Sequence, residues 1–286
     1  GELKVEGLPL HLHPWEEGGR KAYVAFDIAG LRVVGEPGME EFAAPIVRRL
    51  ATVTELGIGR NDSNTPMPDT EVLECCAALR SLRMSSSTAA ELSVDAPLPA
   101  LEHLVFAYCL KLRAIPASVG RHVGLQELRL FKCFDLVELD ACLGALVNLR
   151  LLVADSCSSL ARLPDEIGRC SSLRHLQINS CDKLATLPEG VGQLGALEQL
   201  DLSACRGLTS LPSLQGLVEL RKLELYVCEA LEALPPDVGA LPKLSHVDVR
   251  MCAALDDATV PDATASLKVE RLPKSKEEAY TYENAH

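Results

Sequence analysis

Leu173-Arg174-His175-Leu176-Gln177-Ile178-Asn179-Ser180-Cys181-Asp182-Lys183-Leu184-Ala185-Thr186-Leu187-Pro188-Glu189-Gly190-Val191-Gly192 decides the architecture, because nearly the same phrase follows at once. The next copy runs Leu197-x-x-Leu200-x-Leu202-x-x-Cys205-x-x-Leu208-x-x-Leu211-Pro212. Other copies begin at Leu101, Leu125, Leu149, Leu220 and Leu244. Weaker ones begin at Leu79, with Ser87 in the cysteine position, and at Val53, with Asn61 there. Seven cysteines (Cys109, Cys133, Cys157, Cys181, Cys205, Cys228 and Cys252) mark the copies at intervals of 24, 24, 24, 24, 23 and 24 residues. Such a period signals a stacked array rather than an irregular globule.

Each part of the phrase has a physical reading. In Leu-x-Leu, period two sends both Leu side chains to one face of a short strand and the residue between them to the other. The cysteine is small and easily buried where the chain leaves the strand. Leu-x-x-Leu-Pro carries apolar residues back along the inside of the coil, and the Pro and following Gly are expected to turn the chain. One unit cannot bury its Leu face alone, whereas stacked units make one continuous core.

The pattern resembles that of a leucine-rich repeat over about residues 49–258. Its Cys and Leu-Pro-x-x-Ile/Val-Gly form is similar to the repeats of plant intracellular immune receptors and of plant Ras-group-related leucine-rich-repeat proteins. The resemblance implies an α/β solenoid of about eight to ten repeats. A curved parallel sheet would form its concave side, and irregular or short helical segments its convex side. Two copies depart from the phrase: Asp140 and Cys142 replace the usual Pro region, and the copy after Cys205 is one residue short near Leu214. The nucleotide-binding module of those receptors is not encoded, so a receptor identity would make this an excised piece.

Composition agrees with a repeat. Leu supplies about one residue in six of the 286, while aromatics are only 4%. Hydrophobic content of 48% at a net charge of −12 excludes a disordered chain. That acidic balance argues against nucleic acid as partner, and no apolar run is long enough for membrane insertion. The start, Gly1-Glu2-Leu3-Lys4-Val5, has no initiator Met and no signal or transit character, which suggests a fragment or a processed chain. Many unpaired cysteines predict an intracellular, reducing compartment: the cytoplasm, or an organelle after loss of a transit peptide. Residues 1–48 read as an N-terminal cap or degenerate repeat, where Tyr23-x-x-Phe26-x-Ile28 mimics the strand phrase. Residues 49–261 form the array, and 262–286 a polar C-terminal tail.

No catalytic chemistry is expected. No phosphate loop, nucleophile elbow or His-Glu-x-x-His motif occurs. His103, His175 and His246 share one column but lie three repeats apart, roughly 15 Å between neighbours by strand stacking, too far for one metal. His11-x-His13 reads as an ordinary strand face. No catalytic residue, cofactor or metal is therefore assigned. What remains is a surface. One outward column reads Arg83, Val105, Arg129, Val153, Gln177, Asp201, Glu224, Asp248; its neighbour reads Ser85, Ala107, Phe131, Asp155, Asn179, Ser203, Tyr226, Arg250. Arg129, Phe131, Asp155, Gln177, Asn179, Asp201, Glu224, Tyr226, Asp248 and Arg250 are the expected contacts to a protein partner of unknown identity. The alternative expectation is a structural subunit of a larger assembly, touching it through the convex side or the ends.

Overall fold

The computed structural model describes residues 97–271 without a break, together with 10–14, 22–26, 54–59, 73, 76–85 and 94. Twelve strands lie side by side in chain order: β1 (Leu10–Pro14), β2 (Ala22–Phe26), β3 (Glu55–Gly59), β4 (Ser81–Ser85), β5 (His103–Ala107), β6 (Glu127–Phe131), β7 (Leu151–Asp155), β8 (His175–Asn179), β9 (Gln199–Asp201), β10 (Lys222–Glu224), β11 (His246–Asp248) and β12 (Lys268–Glu270). From β3 to β12 every neighbouring pair is parallel. β2 continues that direction with Ala22 level with Leu56, and β1 runs antiparallel to it. The result is a curved leucine-rich solenoid, with the sheet on its concave side and short 3-10 helices on its convex side.

The strand register is the one the Leu spacing predicts. Leu128 and Leu130 on β6, and Leu176 and Ile178 on β8, are fully buried, with partly exposed residues between them. In the quoted copy the remaining core residues Leu173, Cys181, Leu184, Leu187 and Val191 are buried too, as is Leu194 just after it. Each stacks on its counterpart one repeat away, so the core is a single column of aliphatic layers.

Burial does not account fully for the cysteines. Each ladder thiol points at a strand carbonyl of the preceding repeat: Cys205 Sγ to Ile178 O at 2.9 Å, Cys228 to Leu202 O at 3.2 Å, Cys252 to Leu225 O at 3.0 Å. Cys133, Cys157 and Cys181 make the same contact at 3.8, 3.8 and 3.6 Å. A side chain that is compact, apolar enough for the core and still carries a weak donor suits that corner. Six of the seven are buried, Cys252 partly so, and no described cysteine is in a disulfide.

Just before each ladder cysteine the backbone turns left-handed at a residue other than glycine: Tyr108, Lys132, Ser156, Ser180, Ala204, Val227 and Met251, with φ between 52° and 63°. That conformation costs roughly 1–2 kcal/mol for an L-residue. Most of these N–H groups still reach the next repeat, as Ser156 N to Asn179 O at 2.9 Å and Val227 N to Arg250 O at 2.9 Å, so the sheet ladder holds the turn in place.

The convex side corrects the expected role of glycine. 3-10 helices span Ala117–Arg121, Ala141–Ala145, Asp165–Arg169 and Glu189–Gln193. The glycine that ends each phrase has no left-handed backbone. Instead, a Cβ on Gly168 would lie 2.7 Å from Gly190 O, and one on Gly192 2.5 Å from Ser213 O. These glycines let adjacent coils approach; the turn itself does not need them. Both irregular copies are also explained. Asp140, standing where other copies have Pro, caps its 3-10 helix by accepting from Cys142 N at 2.8 Å. The short copy forms no 3-10 helix, and Leu214 fills the core in its place.

The C-terminal boundary differs from the expected one at 261. Leu267-Lys268-Val269 is an abbreviated strand phrase: Leu267 is buried, Val269 packs on the core, and Lys268 N donates to Ser245 O at 2.9 Å. The sheet therefore runs to Glu270, through part of the presumed polar tail. Residues 272–286 lie outside the described residues, as do the side chains of 1–48 and the His11-x-His13 pair.

Candidate functional site

The concave face is built from strand residues whose side chains point away from the aliphatic core. All ten expected contact residues lie on β6 to β11 or, for Tyr226 and Arg250, two residues beyond the ends of β10 and β11. Register sets Arg129, Val153, Gln177 and Asp201 in one row, continued by Glu224 and Asp248. Phe131, Asp155 and Asn179 form the row beside it. Phe131 and Tyr226 stand four strands apart, about 19 Å at the usual strand spacing.

The face is not uniformly open. Val153 and Ala107 point outward in the alternation but are buried by their neighbours. Asp248 is only 3% exposed, which corrects its place among the surface contacts. Arg250 folds over it, with Nη2 at 2.6 Å from Oδ2 and Nε at 2.9 Å from Oδ1, and the Arg250 backbone N–H donates to Oδ1 at 3.0 Å. Burial would push this carboxyl up, but those hydrogen bonds and the Arg250 charge hold it below its usual range. The same guanidinium reaches Glu270 at 3.2 Å and lies over the Tyr226 ring at 5.4 Å. Tyr226 keeps 43% of its surface exposed.

Outward residues outside the two expected columns complete the C-terminal end. Lys222 pairs with Glu224, Lys268 with Glu270, and His246 Nε2 lies 3.8 Å from Glu224. Glu224, His246 and Asp248 thus offer ligand atoms within 4.8 Å of one another. Their carboxylates are already held by Lys222 and Arg250, so the trio reads as a charge lattice. His103, His175 and His246 stand on β5, β8 and β11, each three strands from the next, as the period requires. In the middle, Asp201 accepts from Ser203 Oγ at 2.6 Å and Ser203 N at 3.0 Å, and the Asn179 amide, turned to donate, reaches Asp201 Oδ1 at 3.1 Å.

At the other end, Arg129 pairs with Glu127 at 2.9 Å. Tyr108 is 51% exposed, with the Lys132 ammonium 5.3 Å from its ring centre, and Phe134 is 42% exposed. Neither aromatic was among the expected contacts, since both follow the strand rather than lie within it. The convex side offers an open, polar depression beside the short repeat, lined by Glu189, Gln193, Ser213 and Gln215. Among the described residues no helix is long and apolar enough to cross a membrane.

A continuous aliphatic column, parallel strands in chain order and a cysteine corner define a leucine-rich-repeat fold. The leucine-rich-repeat domain of the type III effector XopL matches it with a TM-score of 0.66 at 24% identity, over 87% of each chain. A leucine-rich-repeat protein of Leptospira interrogans matches with a TM-score of 0.54 at 21% identity, over 85% of this chain and 67% of its own. No protein-family model and no curated protein matches the sequence.

The Arg250–Asp248 pair yields a direct expectation. Arg250→Ala would leave a buried carboxylate without its guanidinium and should cost about 2–3 kcal/mol in a urea titration. Because the folded Asp248 pKa is depressed, its contribution is intact above about pH 4 and fades as pH falls through the folded value. A wild-type midpoint in the variant would show that the pair is a surface ornament.

Proposed function

We propose that the chain is a non-catalytic protein-recognition module, similar in role to the ligand-sensing repeats of a plant-type intracellular receptor. The observation that carries this reading is the concave face itself, a rigid, polar sheet with exposed aromatics at both ends. Curved solenoids commonly bind on that surface, and rigid aromatics favour interfaces. In this reading Phe131 and Tyr226 anchor the partner, while Arg129, Asp155, Gln177, Asn179, Asp201 and Glu224 orient it. Asp248 acts through Arg250. The ten described cysteines, none in a disulfide, support a reducing, intracellular setting.

Affinity capture with mass spectrometry, followed by alanine at Phe131 and Tyr226, tests the proposal. The double substitution should weaken capture of a specific partner at least tenfold, as expected when central anchors are truncated. Deletion of 272–286, which spares β12, should leave capture intact. The reverse pattern would favour the structural-assembly reading, in which the ends make the contacts.

A further inference from the structure

Most charges on the concave face already have an opposite charge beside them. Glu224, Asp248 and Glu270 are matched by Lys222, Arg250 and Lys268. Arg129 is matched by Glu127. Among the described residues, four groups lack such a match, and they are not scattered. Arg83 is exposed on β4, and Lys132 at the end of β6 meets only the Tyr108 ring and hydroxyl. Asp155 on β7 accepts from the Ser156 hydroxyl, and Asp201 on β9 from Ser203 and Asn179. Positive charge without a carboxylate partner thus lies on β4–β6, and negative charge without a cation on β7–β9.

Apart from Tyr226 at the far end, the exposed aromatic surface coincides with the positive side. Tyr108, Phe131 and Phe134 belong to two adjacent repeats, and Tyr108 N donates to Phe131 O at 2.8 Å. In the next two repeats the positions of Tyr108 and Phe134 hold Ser156, Ser180, Ser158 and Asp182. A ring on this patch would have Lys132 beside it. Arg83 would lie two strands away, about 10 Å by strand spacing.

We infer that the strip formed by Arg83, Tyr108, Phe131, Lys132 and Phe134 binds an acidic, aromatic-bearing segment of the protein partner. The inference rests on the concave-face reading above and adds the partner's chemistry. Carboxylates of the segment meet Arg83 and Lys132, and a ring lies against Tyr108, Phe131 and Phe134. Asp155 and Asp201 repel further acid from β7–β9, which fixes the direction of the segment. Two unmatched cations on a chain of net charge −12 are too few to follow a phosphodiester backbone, which needs a track of Lys and Arg. A protein segment with a few carboxylates is the better complement.

A fluorescently labelled random Glu–Tyr copolymer is the probe, read by anisotropy against the whole chain. It should bind, weaken with added salt, and lose about tenfold in affinity when Arg83→Glu and Lys132→Glu are combined. Asp155→Lys should tighten binding several-fold, and a Lys–Tyr copolymer should not compete. All three side chains are on the surface, and matched thermal melts will verify that the variants fold. No binding, binding indifferent to Arg83→Glu/Lys132→Glu, or equal competition by polyuridylate would overturn the inference. Should copolymer binding ignore Arg83 and Lys132 while capture of the native partner still depends on Phe131 and Tyr226, the acidic-segment inference falls and the concave-face reading stands.

Discussion

Leu200→Asp should break the array at its middle, whereas Asp201→Ala, one residue on, should leave it standing. Leu200 has no exposed surface and lies level with Leu176 and Leu223 on the neighbouring strands. A carboxylate there has no cation within the aliphatic column, and burying it costs several kcal/mol. In a solenoid that loss is not spread evenly. Stability is a sum of repeat and nearest-neighbour interface contributions, so one broken layer removes two interfaces and uncouples the halves on either side. Denaturant unfolding followed by circular dichroism should therefore shift to a lower midpoint and separate into two transitions. Asp201→Ala removes a carboxylate that accepts the Ser203 N–H and hydroxyl, and should cost about 1 kcal/mol with a single transition. Equal losses would mean that the strand faces are exchanged.

That contrast depends on a register legible from Leu spacing alone. The phrase beginning at Leu101 predicts a strand with Leu104 and Phe106 inward, and both are fully buried on β5. The same spacing placed Cys133, Cys157 and Cys181 in one inward corner, where the structure has them. Periodicity works here because a single packing rule recurs, and each repeat repeats the message.

Features set by contact between coils were not legible. The left-handed residues before the cysteines include Val227 and Lys132, types that favour other conformations, so no residue preference marks them. Their geometry comes from the sheet ladder. Gly168 and Gly192 sit where turn glycines are expected, yet it is the neighbouring coil's carbonyls that exclude a side chain. Asp248 alternates outward like Asp201, and only the fold of Arg250 across it produces its burial. β12 escaped because Leu267-Lys268-Val269 retains too little of the phrase. On the concave face the rows were readable, but the pairing of charges within them required coordinates. So did the aromatic rim of Tyr108 and Phe134.

Alkaline pH should unfold the chain through its thiols. Burial pushes Cys205 up to about 12 and Cys170 up to about 11, from an ordinary value of 9.0, and raises Cys181 as well. Each of these thiols hydrogen-bonds to a carbonyl, Cys205 to Ile178 and Cys170 to Leu143 at 3.2 Å. A thiolate there would face the negative end of the carbonyl dipole and be shielded from solvent. The folded pKa values are raised above those of the unfolded chain, so the folded state binds more protons between the two. The stability contributed by each protonated thiol is fully present below about pH 9 and is lost as pH rises toward its folded value. The slope is about 1.4 kcal/mol per pH unit for each such group. Several groups acting together should lower the urea midpoint steeply between pH 9 and 11, by several kcal/mol in all. Cys205→Ala should flatten that slope by one proton, an effect distinct from any loss of packing. Native thiol titration at neutral pH should find few reactive groups, Cys142 and Cys252 foremost because they are partly exposed, and many more after denaturation. A urea midpoint unchanged from pH 8 to 11 would show that the ladder thiols ionise in place. A disulfide between Cys157 and Cys181 in non-reducing peptide maps would remove the buried-thiol ladder and the reducing compartment together.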